Sequence, residues 1–151
     1  MVAKVAMMRK VLFLICAGLI CQQSLAVQAR VKYIVDGDTF IGDVLFENDI
    51  NVVSVSIRLR NVDTPELHGQ CEEEIRRAEL ARQRLGELIP VGSIVEIDNI
   101  KNDKYAGRID ANVYDANNRD IGRVLVREKF GREYSGGHRQ PWCDTKKQSK
   151  N

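Results

Sequence analysis

Asp36 and Asp38 bracket a glycine in YIVDGDTF, residues 33–40, a run that otherwise reads as a buried strand. An unpaired buried carboxylate is very costly, so both acids need partners, and hard cations are among the best. Asp63, in NVDTPE at residues 61–66, adds a third carboxylate from what reads as a neighbouring strand end. These stretches carry no histidine or cysteine, and an oxygen-only donor set points to Ca²⁺ rather than to a transition metal. Arg58 precedes Asp63 by five residues and Arg108 follows later in the chain. An oxygen-ligated metal beside arginines suits a phosphodiester: the ion polarises a phosphoryl oxygen, guanidinium forks hold the others, and a carboxylate takes a proton from water. Each piece alone has a plainer meaning. DGD is also an Asp-Gly turn, Arg58 a solvated strand residue, and VDTPE a loop leading into a helix.

The elements that must position these residues follow from periodicity. Arg30 to about Leu45 is rich in Val, Ile, Tyr and Phe and predicts two strands meeting at a bend or bulge at Asp36-Gly37. Glu47–Asn51 reads as a turn. Val53, Val55, Ile57 and Leu59 alternate with Ser54, Ser56, Arg58 and Arg60, the period of a half-buried strand. Pro65 then ends that ladder and leaves Asp63 and Glu66 on a loop. From 71 to 89 the period becomes helical through Ile75, Ala78, Ala81, Leu85, Leu88 and Ile89. Glu72, Glu73 and Glu74 read as first-turn acids on a solvated face, favoured there by the helix dipole. Strands are predicted at Ser93–Asp98 and around Ile109, Ala111 and Val113, with KNDKYAG as the loop between. Asp120 reads as the cap of a second helix running through Phe130 and closed by Gly131. This order predicts an α+β, mainly β fold: an OB-fold five-stranded barrel, one helix between strands three and four and a second after strand five.

The chain has 151 residues, the size of one domain. Ahead of it, Lys4, Arg9 and Lys10, an apolar core from Val11 to Cys21 and small residues at Ser24, Ala26 and Ala29 form the pattern of a signal peptide, residues 1–29. Cleavage after Ala26 and after Ala29 both satisfy the small-residue rule. The folded domain is expected over 30–143, and 144–151 as a disordered basic tail. The leader takes three basic residues and no acids with it, leaving 20 Lys and Arg against 21 Asp and Glu. Net charge therefore argues for no nucleic-acid partner; only the placement of charges does. The protein is expected in a periplasm or outside the cell, as a monomer without a membrane anchor once cleaved.

Cys16 and Cys21 leave with the leader, and Cys71 and Cys143 remain. An even pair in an exported chain reads as one disulfide, worth about 4 kcal/mol on the loop-entropy picture. The rival reading joins the two cysteines to His68 and His138 on zinc.

Taken together, DGDT, then R-x4-DTPE, then DKY followed by GR resemble the staphylococcal nuclease (thermonuclease) family over about Tyr33 to Phe130. The resemblance implies that Asp38 and Asp63 ligate one Ca²⁺, completed by the backbone carbonyl of Thr64, with Asp36 supporting them from behind. It implies Glu66 as general base and Arg58 and Arg108 as the grip on the phosphate, Arg108 also assisting the leaving 5′ oxygen. Lys104 and Tyr105 are similar to the family's contacts to the nucleotide beside the scissile bond, and the implied substrates are DNA and RNA, cut to 3′-phosphate ends. Two departures stand out. DKYAGR is one residue longer than the family's DKYGR, a displacement of up to about 3.5 Å for Arg108, and misplacement on that scale can cost about a hundredfold in rate. The tail after GREYSGGHRQPWC replaces a long third helix with something shorter that the disulfide pins. In it, Tyr134 offers a base-stacking face or ordinary packing, Trp142 reads as core, and His138 as a surface residue. An alternative from another class is a non-catalytic OB-fold module binding nucleic acid through Arg58, Arg60, Lys104 and Arg108. A Ca²⁺-stabilised structural protein would not need Glu66 or the arginines.

Overall fold

The computed structural model describes residues 27–45, 53–103 and 105–143. The expected leader up to Ala26, the turn at Glu47–Asn51, Lys104 and the tail 144–151 lie outside the described residues.

Alternating apolar side chains make the strands. In chain order the elements are β1 (Val27–Ile34), β2 (Thr39–Leu45), β3 (Val53–Leu59), β4 (Val62–Asp63), α1 (Glu72–Leu88), β5 (Ile94–Asn102), β6 (Arg108–Tyr114), α2 (Ile121–Arg127) and β7 (Arg132–Glu133). Five of them close a barrel in the order β1-β2-β3-β6-β5, and β4 pairs with β7 beside it. All ladders are antiparallel except β3 with β6, which is parallel. The expected architecture is therefore present: an OB-like barrel with α1 between its third and fourth strands and α2 after its fifth. Phe40, Ile57, Leu59 and Ile97 fill the barrel, and Leu85, Ile121 and Leu125 close it from the helices, all essentially fully buried. Each such side chain contributes about 1.5–3 kcal/mol by leaving water.

Three local expectations change. β1 begins at Val27, three residues before the domain start expected at Arg30, and Ala29 is wholly buried. On α1 the buried stripe of Ala78, Ala81, Leu85 and Leu88 continues one turn back to Glu74, and Ile75 points outward at 39% exposure. α2 stops at Arg127 rather than at Gly131, because Lys129 takes the left-handed position itself (φ 66°) and the N–H of Phe130 returns to the Leu125 carbonyl at 2.9 Å. Gly131 is needed for another reason: a Cβ there would lie 2.6 Å from Val62 Cγ2, where the chain crosses β4.

Candidate active-site cleft

The bend between β1 and β2 is built by its own acid. Asp36 Oδ1 accepts the N–H of Asp38 at 3.0 Å, and the N–H groups of Val35 and Asp36 share the Thr39 carbonyl. Gly37 serves close packing rather than an unusual φ, since a Cβ would sit 2.7 Å from Ala81 Cβ and 2.8 Å from Thr64 Oγ1. The bend thus holds Asp38 against α1 and against the loop after β4. Asp38 is buried; its Oδ1 accepts from Thr39 Oγ1 at 2.9 Å and its Oδ2 from Arg58 Nη2 at 3.0 Å. Burial pushes the Asp38 carboxyl up to about 7, outweighing the attraction of Arg58.

Arg58 is not on a solvated face. It is buried at 7% exposure near the end of β3, where its guanidinium also donates to the Val62 carbonyl at 3.1 Å. Its neighbours across the ladders are Thr39 on β2 and Asp110 on β6, so three strands fix it.

β4 ends on Asp63, and the chain goes on through Thr64, both buried, to Glu66, exposed. Glu74 shapes this loop: its buried carboxylate accepts the N–H of Gln70 at 2.8 Å and that of Glu66 at 3.4 Å. The reading of Glu72–Glu74 as three solvated acids holds for Glu72 and Glu73 and fails for Glu74. Gly69 matches it, because a Cβ there would lie 2.5 Å from Glu74 Cγ.

Arg108, at the start of β6, pairs through Nε with Asp103 and stacks on the Tyr105 ring 4.6 Å away. In Asp103 burial is outdone chiefly by that hydrogen bond, which leaves the carboxyl below its ordinary value. Burial, then the neighbouring Asp103, raises the carboxyl of Asp110. Arg58, Glu66, Tyr105, Arg108, Tyr134 and Arg139 line one cleft of about 690 Å³.

Arg132 and Arg139, from the tail, belong to this site and were not singled out in the sequence. Arg132 on β7 lies opposite Asp63 on β4 and donates to its Oδ2 from Nε and Nη2 at 3.0 and 2.9 Å. Arg139 contacts Glu66 Oε1 through Nη1, and its Nε lies 3.1 Å from Asp63 Oδ1. The Sγ atoms of Cys71 and Cys143 are 2.12 Å apart, a disulfide. That bond was the available signal, because Glu66 lies five residues before one cysteine and Arg139 four before the other. Trp142 is a correction: it is half-buried, with the guanidinia of Arg132 and Arg77 over its ring at 4.0 and 4.9 Å, rather than core. Tyr134 lines the cleft, its hydroxyl donating to the Gly137 carbonyl at 2.8 Å.

The oxygens available to a hard cation are those of Asp38 and Asp63, which Arg58, Arg132 and Arg139 also contact. Asp63 Oδ1 is buried and receives no hydrogen bond, since Arg139 Nε is near it but misaligned. Asp38 is a buried carboxylate with its proton affinity raised, and every donor in the set is oxygen. Zinc has no such support. Cys71, Glu74 and Cys143 bring ligand atoms within 4.8 Å of one another, but the sulfurs are bonded together and offer no thiolate. His68 and His138 are exposed.

No protein-family model matches the chain, and comparison with curated proteins finds no match.

Proposed function

We propose that this chain is an exported, Ca²⁺-dependent nuclease that hydrolyses phosphodiester bonds of DNA and RNA and leaves 3′-phosphates. The observation that carries the reading is the meeting of Glu66, Arg58 and Arg108 in one cleft, whose arginine and loop neighbours contact the buried Asp38 and Asp63. The resemblance of DGDT, R-x4-DTPE and DKY…GR, which contain these same residues, to the staphylococcal nuclease family supports it.

Ca²⁺ held by Asp38, Asp63 and the Thr64 carbonyl would polarise a phosphoryl oxygen. Asp36 supports Asp38 by fixing its backbone. Glu66, exposed at the cleft, removes a proton from the attacking water as its oxygen bonds to phosphorus. Arg58 and Arg108 hold the equatorial oxygens as charge builds. The P–O5′ bond breaks, Arg108 hydrogen-bonds the departing 5′ oxygen while solvent water protonates it, and phosphate stays on the 3′ end. Tyr105 and Tyr134 offer faces to neighbouring bases, and the family resemblance implies Lys104 as a further contact to the nucleotide beside the scissile bond.

The test incubates the purified, oxidised protein with plasmid and with single-stranded DNA in Ca²⁺, in Mg²⁺ and in EGTA, beside Arg108→Ala. Cleavage in Ca²⁺ that disappears in EGTA and in the variant is expected. Tight binding without cleavage under every condition would instead make the protein a binding module.

A further inference from the structure

The segment from Tyr134 to Cys143 is tied at both ends. β7 holds its start against β4, and the disulfide holds Cys143 to the residue that precedes α1. Between them Gly136 and Gly137 take φ of 98° and 89°, conformations that other residues rarely adopt, and turn the chain so that Arg139 comes back over Glu66 and Asp63. A cation has thus been delivered to the cleft by a route independent of the barrel.

Of the three guanidinia lining the cleft, that of Arg139 is the most accessible. Its side chain is 41% exposed, against 25% for Arg108 and 8% for Arg58. Arg58 is committed to Asp38 and Val62 inside the barrel wall, and Arg108 is stacked on Tyr105. Two guanidinia and a cation already satisfy the oxygens of one phosphate, so a third, exposed fork suits a second anionic group of the same strand.

Resting on the nuclease reading, we propose that Arg139 is a substrate-binding residue for a phosphate flanking the scissile one, so that the cleft selects a polynucleotide strand over an isolated phosphodiester. As Glu66 turns to the attacking water, the guanidinium swings to that flanking phosphate, while the disulfide and Arg132 keep the strap in place.

The experiment compares the full-length protein with Arg139→Ala and Arg139→Lys on two substrates: a single-stranded oligonucleotide and a chromogenic diester with one phosphate. Arg139→Ala is expected to raise KM for the oligonucleotide about tenfold more than KM for the small diester, the size of one solvent-screened charge-assisted contact, because any effect through Glu66 or Asp63 falls on both substrates alike. The slope of log affinity against log salt should fall by about 0.7, one single-strand phosphate, and Arg139→Lys should restore that slope. Equal effects on both substrates, or a tighter Ca²⁺ affinity with oligonucleotide binding unchanged, would show that Arg139 merely competes with the cation and would overturn the proposal. Anisotropy of a labelled oligonucleotide reads the same comparison without turnover. A protein that cuts neither substrate therefore fails the nuclease reading, while the flanking-phosphate contact is still decided by binding.

Discussion

Arg58 donates to Asp38 at 3.0 Å with both side chains only 8% exposed, an ion pair built into the barrel wall. Breaking one partner of such a pair leaves the other charge buried, which is why neither residue is a simple surface contact. On the nuclease reading, Arg58 would hold substrate oxygens only with the N–H donors not already given to Asp38 and Val62. Its position depends on Asp38 as much as on β3.

The pair also sets a pH dependence. Burial, outweighing Arg58, raises the Asp38 carboxyl from 3.8 to about 7. Between those values the folded chain holds a proton that the unfolded chain has released, so the Asp38 contribution to stability is full below about pH 4 and declines as pH rises to about 7. In EDTA, the stability of the wild type relative to Asp38→Asn should therefore fall across that range by on the order of a few kcal/mol and level off above it. Denaturant titrations of both proteins at several pH values measure it. A difference that stays flat or grows would mean that Arg58 outweighs burial.

Glu66→Gln isolates the proton transfer. The side chain is exposed and its shape is kept, so folding and Ca²⁺ affinity should be unchanged while kcat falls by about a hundredfold or more. Turnover like that of the wild type would remove Glu66 from the chemistry.

Glu74 acts on that same residue through the backbone. Its carboxylate gathers the N–H groups of Gln70 and Glu66, so Glu74→Ala leaves two half-buried donors to water and should cost about 1 kcal/mol. A structural role alone would stop there. As a positioning residue it should also lower kcat with KM little changed, and Glu74→Gln, which keeps an acceptor oxygen, should recover most of the rate. Loss of stability with full kcat would reduce it to a loop support.

The disulfide carries a fold role and a site role. Closing a loop with a sequence separation of 72 is worth about 4 kcal/mol by chain entropy. Cys71→Ser with Cys143→Ser should lower the denaturation midpoint accordingly. It should also raise KM for the oligonucleotide as Arg139→Ala does, because both take the Arg139 guanidinium out of the cleft. Trp142 reports the change, since its stacking on Arg132 and Arg77 adjoins Cys143 and its fluorescence should shift red on reduction.

The parts of the site made from local spacing were readable in advance, and the parts made by long-range closure were not. DGD, R-x4-DTPE and the alternation from Val53 to Leu59 each lie within a few residues, so periodicity placed them on strands and bends. Glu74 was hidden among three identical acids; only the helical phase of Ala78, Ala81 and Leu85 distinguishes it from Glu72 and Glu73. Arg58 shares its strand face with serines, the pattern of a solvated residue, yet its burial comes from Asp38 and the parallel pairing with β6, which no local pattern encodes. Arg132 and Arg139 reach Asp63 and Glu66 across separations of 69 and 73 residues, by way of a two-residue ladder and the disulfide.

If residues before the barrel are a signal peptide, the strand pairing of β1 bears on which of the two cleavage positions leaves the barrel whole. Val27, Gln28 and Ala29 pair with Ile97, Glu96 and Val95 of β5, while Gln28 and Ala29 pair with Leu45 and Val44 of β2. Ala29 is fully buried. Cutting after Ala29 would strip three residues from one ladder and two from the other, leaving strand edges unpaired where the barrel closes, at about 1 kcal/mol for each buried hydrogen bond lost. Cutting after Ala26 leaves β1 whole. Exported from an expressing host, the protein is therefore expected to begin at Val27, which intact-mass measurement of the secreted product decides. A mature chain beginning at Arg30 would mean that the barrel closes with a shorter β1, and its stability should then fall below that of a protein starting at Val27.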